Sequence, residues 1–187
     1  MAITRSHVVA AALQILDEYG LADLSMRRVA SRLEVQPGAL YHHVANKQTL
    51  LAGIADQILQ GVECPVGPWR ESVAGWATNL REALLAHRDS ADLVASARAF
   101  RLVEVEVTER PVLVMAAAGV PPAVADSAAS TLVHFVLGHV SEEQAKREWL
   151  RFSPPGAEME NAHGRDDHER FVGGVQLILD GASTQLP

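Results

Sequence analysis

The 187-residue chain carries one cysteine, Cys64, so no disulfide can close within it and a reducing compartment is the simplest setting. That cysteine sits in a Glu-Cys-Pro-Val-Gly-Pro connector and reads as a spare thiol. Aromatic residues make up 5% of the chain, so its cores must be packed with aliphatic side chains. No run of about eighteen apolar residues occurs, and Arg5, His7, Asp17 and Glu18 interrupt the start. Neither a membrane span nor a secretion signal is expected, and a cytoplasmic location follows. A glycine-rich phosphate loop, a nucleophile motif, strand-like alternation and internal repeats are all missing. His163, Asp166, Asp167 and His168 could in principle hold a metal, but they lack regular ligand spacing and sit in a polar stretch. No enzyme, metal site or cofactor is expected.

Positive charge is also in short supply, with a net charge of −7. Its distribution is uneven. Residues 1–47 hold Arg5, Arg27, Arg28, Arg32 and Lys47 against Asp17, Glu18, Asp23 and Glu34, a net +1, so the acidity lies in the remainder. What is abundant is Ala and Leu, in a chain that is 48% hydrophobic, which favours helices.

One stretch organises the rest. Residues 25–33 place Met26, Val29, Ala30 and Leu33 at helical spacing, with the arginines turned away and Ser25 as N-cap. Glu34-Val35-Gln36 has room only for a tight turn, and Pro37 suits the first position of a new helix. Residues 37–43 then form a second, short helix. Two short helices so joined make a helix-turn-helix, whose second member enters the DNA major groove. The candidate DNA-contacting residues are Ser25, Arg27, Arg28, Gln36, Gly38, Ala39, Tyr41, His42, His43 and Lys47. Small Gly38 and Ala39 permit close approach, while the hydroxyl and imidazole groups suit phosphates or base edges. An arginine can fork onto guanine or clamp phosphate, and Lys47 adds a mobile charge.

The remaining pattern predicts an all-α protein. A first helix covers 6–19 and ends at Gly20, and a fourth covers 48–62. Pro65-Val66-Gly67-Pro68 marks a boundary. Beyond it, helices are expected over 69–88, 89–99, 102–118 with a bend near Pro111, 122–149 and 168–182. The polar segment 153–167 reads as a mobile loop. The division expected is a three-helix head with the helix-turn-helix over 1–47, a connecting helix over 48–64, and a helical domain over 65–187.

The run Leu24-Ser25-x-Arg27-x-Val29-Ala30, then Gly38-Ala39-Leu40-Tyr41-His42-His43 and Asn46-Lys47, resembles the tetracycline-repressor (TetR) family. Trp69-Arg70 through Arg81, Leu84, Leu85, Arg88 and Asp89, with His134-Phe135, Gly138, Glu142 and Gln144, resembles the tetracycline-repressor branch itself. The resemblance implies a homodimer joined by 122–149 and 168–182, a palindromic double-stranded DNA operator, and release by a small-molecule effector in the C-terminal domain. By position, His134, Arg98 and Glu142 match polar groups that hold magnesium–tetracycline. Val94, however, stands where a metal-ligating histidine would be, Trp76 where an asparagine would be, and Glu63 at another histidine. Valine ligates nothing, so an apolar or amphipathic effector is expected instead. Its candidate contacts are Trp76, Leu80, Arg98, Phe100, Met115, His134, Phe135, His139 and Glu142. An activator, or a regulator without an effector, would carry the same head.

Overall fold

The computed structural model describes residues 3–152 and 167–186, and among these it contains nine helices and no strand. They are α1 (Arg5–Tyr19), α2 (Met26–Arg32), α3 (Pro37–Leu40), α4 (Lys47–Leu59), α5 (Trp69–Leu85), α6 (Ser90–Ala99), α7 (Glu109–Ala117), α8 (Pro122–Phe152) and α9 (Asp167–Ser183). The expected loop over 153–167 lies outside the described residues except for Asp167, which opens α9.

Contacts divide the chain into two compact units. The first comprises residues 1–62 with 83–106, and the second 63–82 with 107–187, so α5 begins in one and ends in the other.

In the first unit, capping side chains set the helix starts. Thr4 accepts from His7 N–H, Ser25 from Arg28 N–H and Asn46 from Thr49 N–H, each satisfying a donor that the first turn leaves free. Helix α4 packs against α1 and α6. It approaches α1 closely at Gly53, where a Cβ would come within 2.9 Å of Val9 Cγ2. Val8, Ile15, Leu16, Leu50 and Ile54 are fully buried in this unit. Tyr19, four residues after the buried Ile15, is 46% exposed.

The turn after α2 is a Schellman motif. Val35 N–H donates to Ala30 O at 3.0 Å and Glu34 N–H to Ser31 O at 3.2 Å, with Glu34 in the left-handed region at φ 56°. Helix α6 ends the same way: Leu102 N–H reaches Ala97 O at 3.1 Å and Arg101 N–H reaches Arg98 O at 2.9 Å, with Arg101 at φ 54°. This stop overturns the expected helix over 102–118. Residues 102–106 are not helical, and α7 starts only at Glu109. Pro111 therefore sits in the first turn of α7, where its missing N–H has no helical partner to lose, and no bend is needed.

In the second unit, α8 packs against α7 and α9. Among the described residues α8 is the one helix long and apolar enough to cross a membrane, and 44% of its most apolar stretch is buried inside the protein. The connector before α5 folds onto that helix: Asn79 Nδ2 donates to Glu63 O at 2.9 Å and the Cys64 thiol lies 3.5 Å from Ser72 O. Burial pushes the Cys64 thiol up from its ordinary value, disfavouring the reactive thiolate.

Candidate nucleic-acid interface

The helix-turn-helix stands on a buried base. Leu24, Val29, Ala30, Leu40 and Val44 have 1% exposure or less, and α2 packs against α1 and α3 against α2, which turns their remaining residues outward. Helix α3 is shorter than the expected 37–43. It covers Pro37–Leu40, and Tyr41, His42 and His43 follow in a turn held by the His43 and Val44 N–H groups on Leu40 O. Gln36, Gly38, Tyr41, His42 and Lys47 are exposed, with Tyr41 at 54%; Ala39 and His43 are half-buried. A Cβ added at Gly38 would meet nothing within 4 Å, so the start of α3 presents bare backbone to the outside.

The arginines of α2 differ in their commitments. Arg27 is exposed and makes no ion pair among the described residues. Arg28 lies 3.0 Å from Asp23 Oδ1, and its guanidinium sits 4.6 Å over the Tyr19 ring. Arg32 forks onto Glu18 at 2.9 and 2.6 Å, which holds the Glu18 carboxyl below its usual range and raises the arginine. Ser25, Arg27, Arg28 and Ser31 line one open depression of about 430 Å³ at the start of α2. This face offers hydroxyl, imidazole and cationic donors, a set suited to phosphate oxygens and base edges.

The effector candidates differ widely in exposure. Trp76 and Met115 are fully buried and Leu80 nearly so. The Trp76 indole Nε1 is buried without a hydrogen-bond partner among the described residues, an arrangement that costs about 1–3 kcal/mol unless something accepts from it. Phe135 and His139 join Phe171 in a ring cluster with centroids 5.4–5.9 Å apart. His134 and Glu142, in contrast, are exposed on α8. Arg98 is half-buried at the end of α6, and Phe100 just beyond it is 71% exposed.

Two buried charges were not foreseen. Arg81 Nε and Nη2 donate to Glu143 Oε1 and Oε2, both at 2.8 Å, and the guanidinium lies 5.2 Å over the Phe171 ring. His139 Nε2 lies 3.3 Å from Glu143 Oε1 and 3.0 Å from Asp167 O. Glu143 follows His139 by four residues on the face that also buries Val136 and Val140, so helical spacing carried that signal. Of the acidic residues considered for a metal, Asp167 instead pairs with Lys146 at 3.1 Å. His163 and Asp166 lie outside the described residues. No group of three or more His, Cys, Asp or Glu side chains arranged for a metal occurs among the described residues.

The profile described as "Bacterial regulatory proteins, tetR family" matches residues 8–54, and that described as "Tetracyclin repressor-like, C-terminal domain" matches residues 63–159. The chain is 36% identical to the class A tetracycline repressor protein from transposon 1721 of Escherichia coli, over 74% of this chain and 66% of that protein. Among solved structures, Mycobacterium smegmatis BioQ is 40% identical, with a TM-score of 0.86 over 98% of this chain and 99% of BioQ. A structure of BioQ with its natural double-stranded DNA operator matches with 39% identity and a TM-score of 0.79, over 98% and 99% of the two chains.

Proposed function

The chain belongs to the tetR family of bacterial regulatory proteins, and from that premise we propose that it is a homodimeric repressor, released from a palindromic operator by a small apolar or amphipathic effector. It is a DNA-binding transcriptional regulator and not an enzyme. The observation that carries the reading is the outward face of Gly38, Tyr41, His42 and Lys47, standing on the buried Leu40 and Val44. Residues 1–47 act as the DNA-reading head, 48–64 as the connecting helix, and 65–187 as the effector and dimerisation domain in the cytoplasm.

Three features support the finer parts. BioQ, similar along nearly its whole length, is described with a double-stranded DNA operator. Helix α9 leaves Leu177 74% exposed, a large apolar side chain that a second copy would cover. The fully buried Trp76 indole N–H, which has no hydrogen-bond partner among the described residues, suits an effector that is apolar overall and carries a hydrogen-bond acceptor. Such an effector must bind the DNA-free state more tightly, or it shifts nothing.

The test is a mobility shift on the intergenic DNA upstream of the protein's own gene, over a salt series, with candidate effectors added. Wild type should bind tightly and be released by one compound class. Lys47→Ala should weaken binding uniformly and reduce the salt slope by about 1 per head. An unchanged affinity and slope in Lys47→Ala would remove Lys47 from the DNA face.

A further inference from the structure

The corner between α1 and α2 is fastened to the turn between α5 and α6 by a reciprocal set of polar contacts. Leu21 N–H donates to Asp89 Oδ2 at 2.7 Å, across 68 residues of sequence. In the opposite direction, Arg88 N–H donates to Asp17 Oδ1 at 3.3 Å, and His87 Nδ1 lies 3.1 Å from both Asp17 oxygens. Arg88 Nη1 adds a bond to Glu18 O at 3.4 Å. Each segment thus lends a carboxylate to the other's backbone.

Asp89 holds the N-cap position of α6, where an aspartate ordinarily accepts a bond from its own helix. Here it makes no such cap. It also adopts the left-handed region at φ 53°, which costs a non-glycine residue energy. Both departures free its carboxylate for Leu21. On the other side, Gly20 has φ 82°, and a Cβ there would lie 2.7 Å from Asp89 Oδ2 and 3.1 Å from Arg88 Nε. Conformation and space both demand glycine at this position.

Leu21 opens the turn that delivers the chain to Ser25 and α2. The direction of α2, and with it Arg27, depends on where that turn is held. Arg88 and Asp89 follow the end of α5, the helix that starts in the second unit. We propose that Asp89 is a positioning residue for operator recognition: through Leu21 it sets the angle of the DNA-binding head, though it lies far outside the helix-turn-helix in sequence. The proposal rests on the dimeric reading above, because an angle matters most when two heads must meet two half-sites at a fixed separation.

Asp89→Ala and Asp89→Asn are compared with wild type on two duplexes, the upstream operator and the same duplex with one half-site scrambled, over a salt series. Asp89→Ala should lose about tenfold on the palindrome, the order of one hydrogen bond to a charged acceptor. Its half-site affinity should stay within about twofold of wild type, and its salt slope should be unchanged, since no phosphate contact is removed. Asp89→Asn should restore palindrome binding, because its amide oxygen still accepts from Leu21. Wild-type palindrome binding in Asp89→Ala overturns the proposal. So does an equal loss on both duplexes, which would make Asp89 merely structural to the head, and so does failure of Asp89→Asn to rescue. If wild type itself shows no preference for the palindrome, the dimeric reading falls and this proposal falls with it.

Discussion

Glu143→Ala should be among the most destabilising single substitutions in the second unit. The Glu143 side chain is 8% exposed and that of Arg81 13%, and the two meet in a fork of 2.8 Å bonds. Removing the carboxylate leaves a largely buried guanidinium over the Phe171 ring without its carboxylate partner, and leaves His139 without its i+4 partner. Breaking a buried pair from one side costs about 3–5 kcal/mol. Against a total stability of about 5–15 kcal/mol that is a large fraction. At about 2–4 °C per kcal/mol for a chain of this size, the melting temperature should fall by about 6–20 °C. The pair itself is not the source of much net stability, because both charges were desolvated to form it. Arg81→Met combined with Glu143→Leu should therefore recover most of the loss. Urea denaturation at fixed protein concentration, with m-values compared, measures both variants. A Glu143→Ala loss under about 1 kcal/mol, or a double variant worse than the single one, would refute the assignment of an uncompensated buried charge.

Two further perturbations separate local from assembled effects. A Cβ at Gly174 would enter the Phe135 ring, so Gly174→Ala should destabilise by about 1–2 kcal/mol after its gain in helix propensity. At Gly173 the same atom meets nothing within 4 Å, so Gly173→Ala should stabilise a lone subunit by about 0.5–1 kcal/mol. A loss there, read by concentration-dependent melting, would mean that a second copy packs on this face. For the exposed Glu18–Arg32 pair, Glu18→Gln should matter only when the carboxylate is ionised. The arginine lowers the Glu18 pKa from 4.5, so its contribution is present above that value and disappears as pH falls through the lower folded-state value. Stability curves of wild type and Glu18→Gln should converge in acid and separate toward neutral pH, and parallel curves would contradict the pairing.

The head was legible in sequence because its determinants are local. Ser25 and Pro37 are punctuation that acts within three or four residues, and the apolar period of α2 needs no distant partner. The stretch after α6 was not legible, since its stop is a left-handed Arg101 rather than a glycine. Glu34 makes the same kind of turn, but Pro37 stands close enough to reveal it. In α8 the periodicity identified apolar positions without ranking the polar ones. His134 and His139 are five residues apart, about 140° around the helix, so one can be buried in the ring cluster while the other faces outward. Arg81 with Glu143, and Asp17 with Arg88, join residues 62 and 71 positions apart. Only tertiary packing brings them together.

Charge and geometry point to the same control over DNA binding. Nonspecific affinity depends on how many cations release counterions, and the head has few to offer. Arg28 and Arg32 are already engaged by Asp23 and Glu18, which leaves Arg27 and Lys47 without an ion pair among the described residues. A head so sparing of charge should hold a random duplex weakly, and in the dimer proposed above its operator binding would come from base-edge contacts made by both heads at once. Affinity then becomes sensitive to head angle in a way that a strongly basic head would not show, because there is little electrostatic attraction to hold a misaligned complex. On this argument Asp23→Asn should strengthen binding to nonspecific duplex more than to the operator, by unmasking Arg28 for phosphate. Competition titrations at two salt concentrations decide it: an operator preference that rises in Asp23→Asn would show that Asp23 orients Arg28 toward DNA instead of withholding it.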